Sequence, residues 1–422
     1  MAYLLLLATL VTFYVRPGDI NPALAGVPIL PTLAVLFALS VMVSWMARLS
    51  KPVLSPHLWW IMGTWGAFVF SHAGRGYLEM TTQTFTGFFP NVFVVFAMTF
   101  VLNSERRLKG FSTLWILLAL FLAVAGIVQS VTGTGLGGQP LIKGRIQGVG
   151  IFADPNDLAL AFLIAVPLAH ARFRLSGTWG RVAYYALAAV FTYATFLTNS
   201  RGGILALLLV FFALSAHRLG PKMGVALGSL LVLALLAIGP SRINQISSKE
   251  ESAQGRIVAW SEGLQMLKRS PLIGVGYGMF TDYHPLTAHN SFVLCFAETG
   301  LLGAFFWIGL IYVSLLGLRR VVKTGGTDPP AAKLVTWSKG TQVAFLGFLS
   351  GIFFLSRTYN ILLYLLVGFA SAVYCAAKSA QPDVSFRLTL RDRFKIAGIV
   401  VGGIILTYVL VKTLAVWTGG FY

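Results

Sequence analysis

Long apolar runs recur from one end of this chain to the other, and they fix its solvent before any motif is considered. Thirteen segments (2–15, 28–47, 57–73, 85–102, 111–131, 156–171, 182–198, 202–217, 223–239, 290–318, 340–356, 361–377 and 396–416) read as helices crossing a hydrocarbon core about 30 Å thick. Of the 422 residues 57% are hydrophobic and only 11% charged, less than half the charge of an ordinary soluble domain. The sequence therefore predicts an all-α polytopic membrane protein of about 12–13 transmembrane helices, with 1–422 forming a single integral membrane domain. Alternation regular enough for an outer-membrane barrel is absent. The first run has no basic n-region and no small-residue cleavage site, so it reads as a short retained span rather than a signal peptide. Cys295 and Cys375 fall inside apolar runs and read as small buried hydrophobes, not as a disulfide or thiolate metal ligands.

A net charge of +19 could be taken for a nucleic-acid footprint, but its distribution argues otherwise. With the N-terminus in the cytoplasm, alternate loops collect 20 of the 32 Lys and Arg and only 4 of the 13 acids, a net +16 inside against +3 outside. That asymmetry is the positive-inside rule. The basic charge is a topological label and predicts a lipid bilayer, not a nucleic acid, as partner.

Two outer connections are long, 132–155 and 240–288. Long loops in a compact protein are usually functional or disordered. The second is not low in complexity: its stretch AQGRIVAWSEGLQMLKRSP sets Ile257, Trp260, Leu264 and Leu267 at helical spacing. It predicts an amphipathic helix on the outer face of the bundle or at the lipid surface. No internal repeat supports the inverted-repeat architecture of many transporters.

Few basic residues are left on the outer side, and each can be weighed. Arg201, in LTNSRGGILAL, precedes two glycines that open the next helix; bare backbone N–H groups beside a guanidinium suit a phosphate, while the plain alternative is a headgroup contact. Arg145 is a candidate phosphate or sugar ligand without a structural explanation of its own. In the adjacent ADPND, Asp154 reads as a helix N-cap with Pro155 at the first helical position and Asp157 in the first turn, which accounts for the motif. Two acids alone do not make a metal site. Arg256 opens the amphipathic helix and is weak taken singly. GVGYG at 274–278 lacks the preceding strand of a dinucleotide loop. His289, next to Asn290 at the start of a span and near the arginine-bearing loops, is the best general-base candidate among the six histidines. Glu298 lies deeper in that span, where an acid is costly; it is expected to pair with an arginine such as Arg357 or to line a polar cavity.

SRGG after one span, GRIVAWSEGLQMLKRSPLIGVGYGMF in a long outer loop and AHNSFVLCFAETGLLG opening the next resemble the O-antigen ligase and polymerase superfamily, and GIFADPNDLAL is similar to a segment of its members. The resemblance spans about Arg145 to Gly303. It implies a GT-C-like, metal-independent, inverting glycosyltransferase without cofactor. Such an enzyme moves a glycan from an undecaprenyl diphosphate carrier to a glycolipid or glycan hydroxyl at the periplasmic face of the bacterial inner membrane. By matching motif, His289 is the base and Arg201 and Arg256 are diphosphate ligands, with Arg145 and Arg357 as further substrate-binding residues and Asn290 and Glu298 in support. A diphosphate leaving group needs its growing charge stabilised, which fixed arginines do without a metal.

Thirteen spans is one more than members typically carry, and 71–86 could equally be a re-entrant element. The shared motifs describe donor chemistry, so ligase, polymerase and protein O-oligosaccharyltransferase remain open, with a ligase acting on lipid A-core as the leading expectation. A transporter or flippase is the rival of a different class.

Overall fold

The computed structural model describes residues 1–47, 54–174, 176–216, 251–325 and 329–417. Their regular structure is helical apart from two isolated bridges, Thr134 to Pro140 and Ile142 to Arg145. The principal helices are α1 (Ala2–Val15), α2 (Ile29–Met46), α3 (Pro56–Ala73), α4 (Leu78–Val101), α5 (Glu105–Thr132), α6 (Pro155–Phe173), α7 (Gly177–Leu197), α8 (Arg201–Ala216), α9 (Glu251–Arg269), α10 (Ser291–Thr324), α11 (Pro329–Ile352), α12 (Ile361–Ala380) and α13 (Leu390–Trp417). Among the described residues eight are long and apolar enough to cross a membrane: α1 with its extension to Ile20, α2, α4, α5, α6, α10, α12 and α13. The expected 12–13 spans are thus reduced to eight on this measure. Helices α3, α7 and α11 stand where spans were expected but are less apolar, α8 is shorter, and the expected span 223–239 lies outside the described residues. The chain is an all-α, multi-spanning membrane protein.

Helices α6 and α12 are buried nearly all round and form the centre, against α11 and α4 respectively, while α10 packs on α3. In lipid, helix association rests on close packing rather than on escape from water, so small residues mark the interfaces. Gly340 faces Ala171, Gly351 faces Leu160 and Gly309 faces Trp60, at distances that leave no room for a Cβ. By contrast, α2 and α13 expose Val35, Met42, Val43, Ile405, Leu406 and Tyr408, a lipid-facing surface.

Residues 71–86 are the end of α3 and the start of α4, joined by a turn at 74–77. Helix α9 lies where the amphipathic pattern predicts, with Ile257, Ala259 and Met266 buried and Gly263 against Val293 of α10, so it packs on the bundle. Residues 240–250 of that connection lie outside the described residues.

One irregularity positions much of the site. Helix α10 is broken at Gly300, whose φ of 65° and ψ of −166° belong to a region that is essentially glycine-only. The backbone groups freed there are taken up by the 271–276 segment: Val275 and Gly276 donate to the carbonyls of Ala297 and Glu298, and Leu301 and Leu302 donate to those of Pro271 and Leu272. Inside a bilayer an unpaired peptide group costs several kcal/mol, so a break survives only where the protein re-pairs it. Gly274 makes the approach possible, since a Cβ there would overlap the Glu298 backbone.

Candidate active site

The candidate residues converge where the 133–154 loop, the α7–α8 turn, the start of α9 and the start of α10 meet the 353–360 loop. Asn290 caps α10: its side-chain oxygen accepts from the N–H groups of Phe292 (2.9 Å) and Val293 (3.2 Å). His289 therefore precedes the cap, and its φ of 48° turns it out of the helix line. Ser291 fastens the 353–360 loop beside it. Its hydroxyl donates to the Leu355 carbonyl (2.6 Å) and accepts from the Arg357 N–H (2.8 Å), and its carbonyl accepts from Thr358 Oγ1 (2.7 Å). Two sequence-distant segments, 289–291 and 355–358, are thereby held together by one small side chain.

Partial burial first, and then the Arg256 and Arg357 charges, hold His289 below its ordinary 6.5, with Asp154 pulling the other way. The imidazole is thus biased to the neutral form that can accept a proton. His289, Arg256, Arg357 and Asp154 act as one electrostatic group.

Arg357 does not pair with Glu298, as one of the two sequence expectations had it. Its Nε donates to Asp157 Oδ1 at 2.5 Å, and its Nη2 lies 3.7 Å from Asp154 Oδ2. Glu298 instead accepts from the Tyr359 hydroxyl (2.5 Å) and the Phe280 N–H (2.9 Å), tying α10 to the segments on either side of it. The nearer acids, Asp154 and Asp157, take the arginine. Asp154 does cap α6, accepting from the Asn156 N–H at 2.7 Å with Pro155 next, but its other oxygen faces Arg357. Sequence reasoning explained Asp157 as a first-turn acid and missed its pairing; the available signal was its place at the mouth of a span, where a buried acid asks for a partner.

Arg145 has structural partners: its Nε donates to the Thr198 carbonyl (2.7 Å) and its Nη2 to Asn156 Oδ1 (2.8 Å). It braces the loop against the α7–α8 turn and the start of α6. At Arg201 the expected cradle is partly used. Ser200 Oγ accepts from the Gly203 N–H (3.2 Å), while Gly202 and Gly203 are small because Phe354 and Ala159 press on them. Phe354 lies in the same loop as Arg357, so the start of α8 borders the site. A cleft of about 240 Å³ runs from Asn290, Trp260 and Phe353 down between α10 and α13 to Trp307 and Ile404. A larger cavity of about 880 Å³ lies among α1–α5 at the end that carries Tyr3 and Arg107, far from these residues in the fold. Among the described residues no three His, Cys, Asp or Glu gather into a group that could hold a metal ion.

Residues 186–308, from α7 through the break in α10, match the family described as O-antigen ligase. This stretch, under a third of the chain, is what the chain shares with that family. Its match includes Arg201, Arg256, His289, Asn290 and Glu298, while Arg145, Asp154, Asp157 and Arg357 lie outside it. The chain is also similar to "Exopolysaccharide production protein ExoQ" of Rhizobium meliloti (strain 1021), 24% identical over 229 residues. That alignment covers 46% of this chain and 52% of the relative, so the chain spans about half the length of the curated relative it matches. Among solved structures it is similar to a chain of "Structural coordination of polymerization and crosslinking by a peptidoglycan synthase complex", with a TM-score of 0.44 and 18% identity over 76% of this chain and 98% of that one.

Proposed function

We propose that the protein is a GT-C-like, metal-independent inverting glycosyltransferase that lengthens a glycan on its lipid carrier, an exopolysaccharide or O-antigen polymerase. It would work at the periplasmic face of the bacterial inner membrane with an undecaprenyl-diphosphate-linked donor. The observation that carries the proposal is the grouping of a neutral-biased histidine, His289, with Arg256 and Arg357 at one end of a helical bundle whose residues 186–308 match the O-antigen ligase family. The acceptor hydroxyl attacks the anomeric carbon as His289 takes its proton. The new C–O bond forms on the face opposite the breaking bond to the diphosphate, which leaves carrying both electrons. Arg256, Arg357 and Arg201 meet its growing charge.

The apolar cleft supports the same reading. At about 240 Å³ it is smaller than pockets that enclose a drug-sized ligand, roughly 300–1,000 Å³, and suits the head-proximal carbons of a polyprenyl chain whose remainder stays in the bilayer. Polymerase is favoured over the ligase first expected because the curated relative is named for exopolysaccharide production. The ligase reading, with lipid A-core as acceptor, is favoured by the description of the matched family.

Purified protein given undecaprenyl-diphosphate-linked repeat units and EDTA should produce a ladder of lengthened carrier-linked glycan. Transfer of one unaltered glycan to lipid A-core, with no ladder, would establish the ligase instead. A requirement for added Mg²⁺ would remove the metal-independent mechanism, and no transfer to either acceptor would remove the glycosyltransferase.

A further inference from the structure

We propose that Asp157 is a positioning residue that fixes the plane of the Arg357 guanidinium toward the leaving diphosphate, with Asp154 as the second anchor of the same arginine. The proposal rests on the glycosyltransferase reading above and adds a role for two acids that the helix cap alone had explained.

Asp157 is buried, with only 6% of its side chain exposed, whereas 29% of the Arg357 side chain is exposed. The α6 N-terminus has its cap in Asp154, so capping does not require a second acid one turn in. Stability does not require it either, because a buried ion pair is often no better than a well-packed apolar pair. What the pair supplies is direction. Nε is held by Asp157, one Nη1 hydrogen by the Ser356 carbonyl (3.1 Å), and the backbone N–H by Ser291, which leaves the Nη2 edge beside Asp154, in the group whose charges act on His289. A guanidinium held at Nε and Nη1, on a backbone that is itself fastened, does not have to reorganise as charge builds on the diphosphate, and it is this that makes a fixed donor effective. A flexible arginine of equal charge would bind donor but stabilise the transition state less.

The test is a double-mutant cycle in full-length protein, with an undecaprenyl-diphosphate-linked glycan as donor and chain extension as readout. Asp157→Asn should lower kcat about tenfold or more while KM for the donor stays within about threefold. Arg357→Gln should lose as much, and the double variant should be no worse than Arg357→Gln alone, since Asp157 acts through the arginine. Asp157→Glu, which keeps the charge, should recover part of the loss. Losses that multiply in the double variant, or wild-type kcat in Asp157→Asn, would overturn the proposal. If Asp157→Asn fails to insert, Asp157→Glu decides: a lowered kcat at unchanged donor KM supports positioning, and wild-type kcat overturns it. Failure of the underlying function looks different, because the wild-type protein itself would then extend no carrier-linked glycan.

Discussion

At the scale of single residues, the question raised by His289 is whether it is a base or a cap. The structure answers half of it, because Asn290 holds both cap hydrogen bonds and His289 holds neither. Asn is among the residues that best tolerate a φ of 48°, so His289→Asn keeps the backbone and removes only the proton acceptor. Loss of a general base costs about 10²–10⁴ in rate, and we expect His289→Asn to fall in that range with donor binding intact. The pH profile follows from the sign of the shift. Burial, then Arg256 and Arg357, hold His289 below 6.5, so wild-type turnover should rise through an acid limb centred below that pH and be level above it. Replacing Arg256 with Gln removes a charge that opposes protonation, so the limb should move to higher pH. Profiles of kcat against pH for both proteins check this; a limb that stays put, or His289→Asn with near-wild-type transfer, would remove His289 as the base.

At the scale of elements, the break in α10 is where composition and local geometry part company. The apolar run 290–318 reads as one helix, and α10 does continue through Gly300, but with a backbone that only glycine adopts there. Hydropathy cannot register this, because the residues on both sides remain apolar and the compensating groups come from 271–276, a segment earlier in the chain. The same limit explains GVGYG: rejecting it as a nucleotide loop needed only the missing strand, but its docking against α10 is a tertiary fact. Elements with local signatures were legible. The cap and proline of α6, the amphipathic face of α9 and the approximate position of every described span follow from side-chain chemistry within a few residues. Pairings such as Arg357 with Asp157, 200 residues apart, do not. A Cβ at Gly300 would lie 2.4 Å from the Leu272 carbonyl carbon. We therefore expect Gly300→Ala to combine a backbone cost of about 1–3 kcal/mol with this overlap. It should lower the Tm of the detergent-solubilised protein and loosen 271–276, read as faster proteolysis in that segment. Wild-type Tm and protection would mean that the break does not depend on glycine.

For the whole molecule, the positive-inside pattern and the packing were derived from different information, and they agree. The long-range contacts join segments assigned by charge to the same side. At one end Arg75 donates to the Gly274 carbonyl, Arg145 reaches Thr198, and the Asp154–Asp157 pair meets Arg357. At the other Tyr3 donates to the Arg107 carbonyl, Arg172 reaches Thr113, and Tyr312 donates to Asp392. Packing establishes which loops share an end but not which end faces the cytoplasm; only the charge bias supplies that, since basic loops resist translocation. The orientation is thus a prediction of its own, and the periplasmic chemistry depends on it. Cys295 and Cys375 are buried and small, so replacing both with Ala gives a background for single cysteines. A cysteine at position 106 or 319 should react with a membrane-impermeant maleimide only in inverted vesicles. One at position 256 should react from the outside of intact spheroplasts, and a donor-like diphosphate lipid should slow it, because Arg256 shares the electrostatic group of His289. Labelling of position 256 from the cytoplasmic side alone would invert the bundle and place the arginines where the proposed periplasmic transfer could not occur.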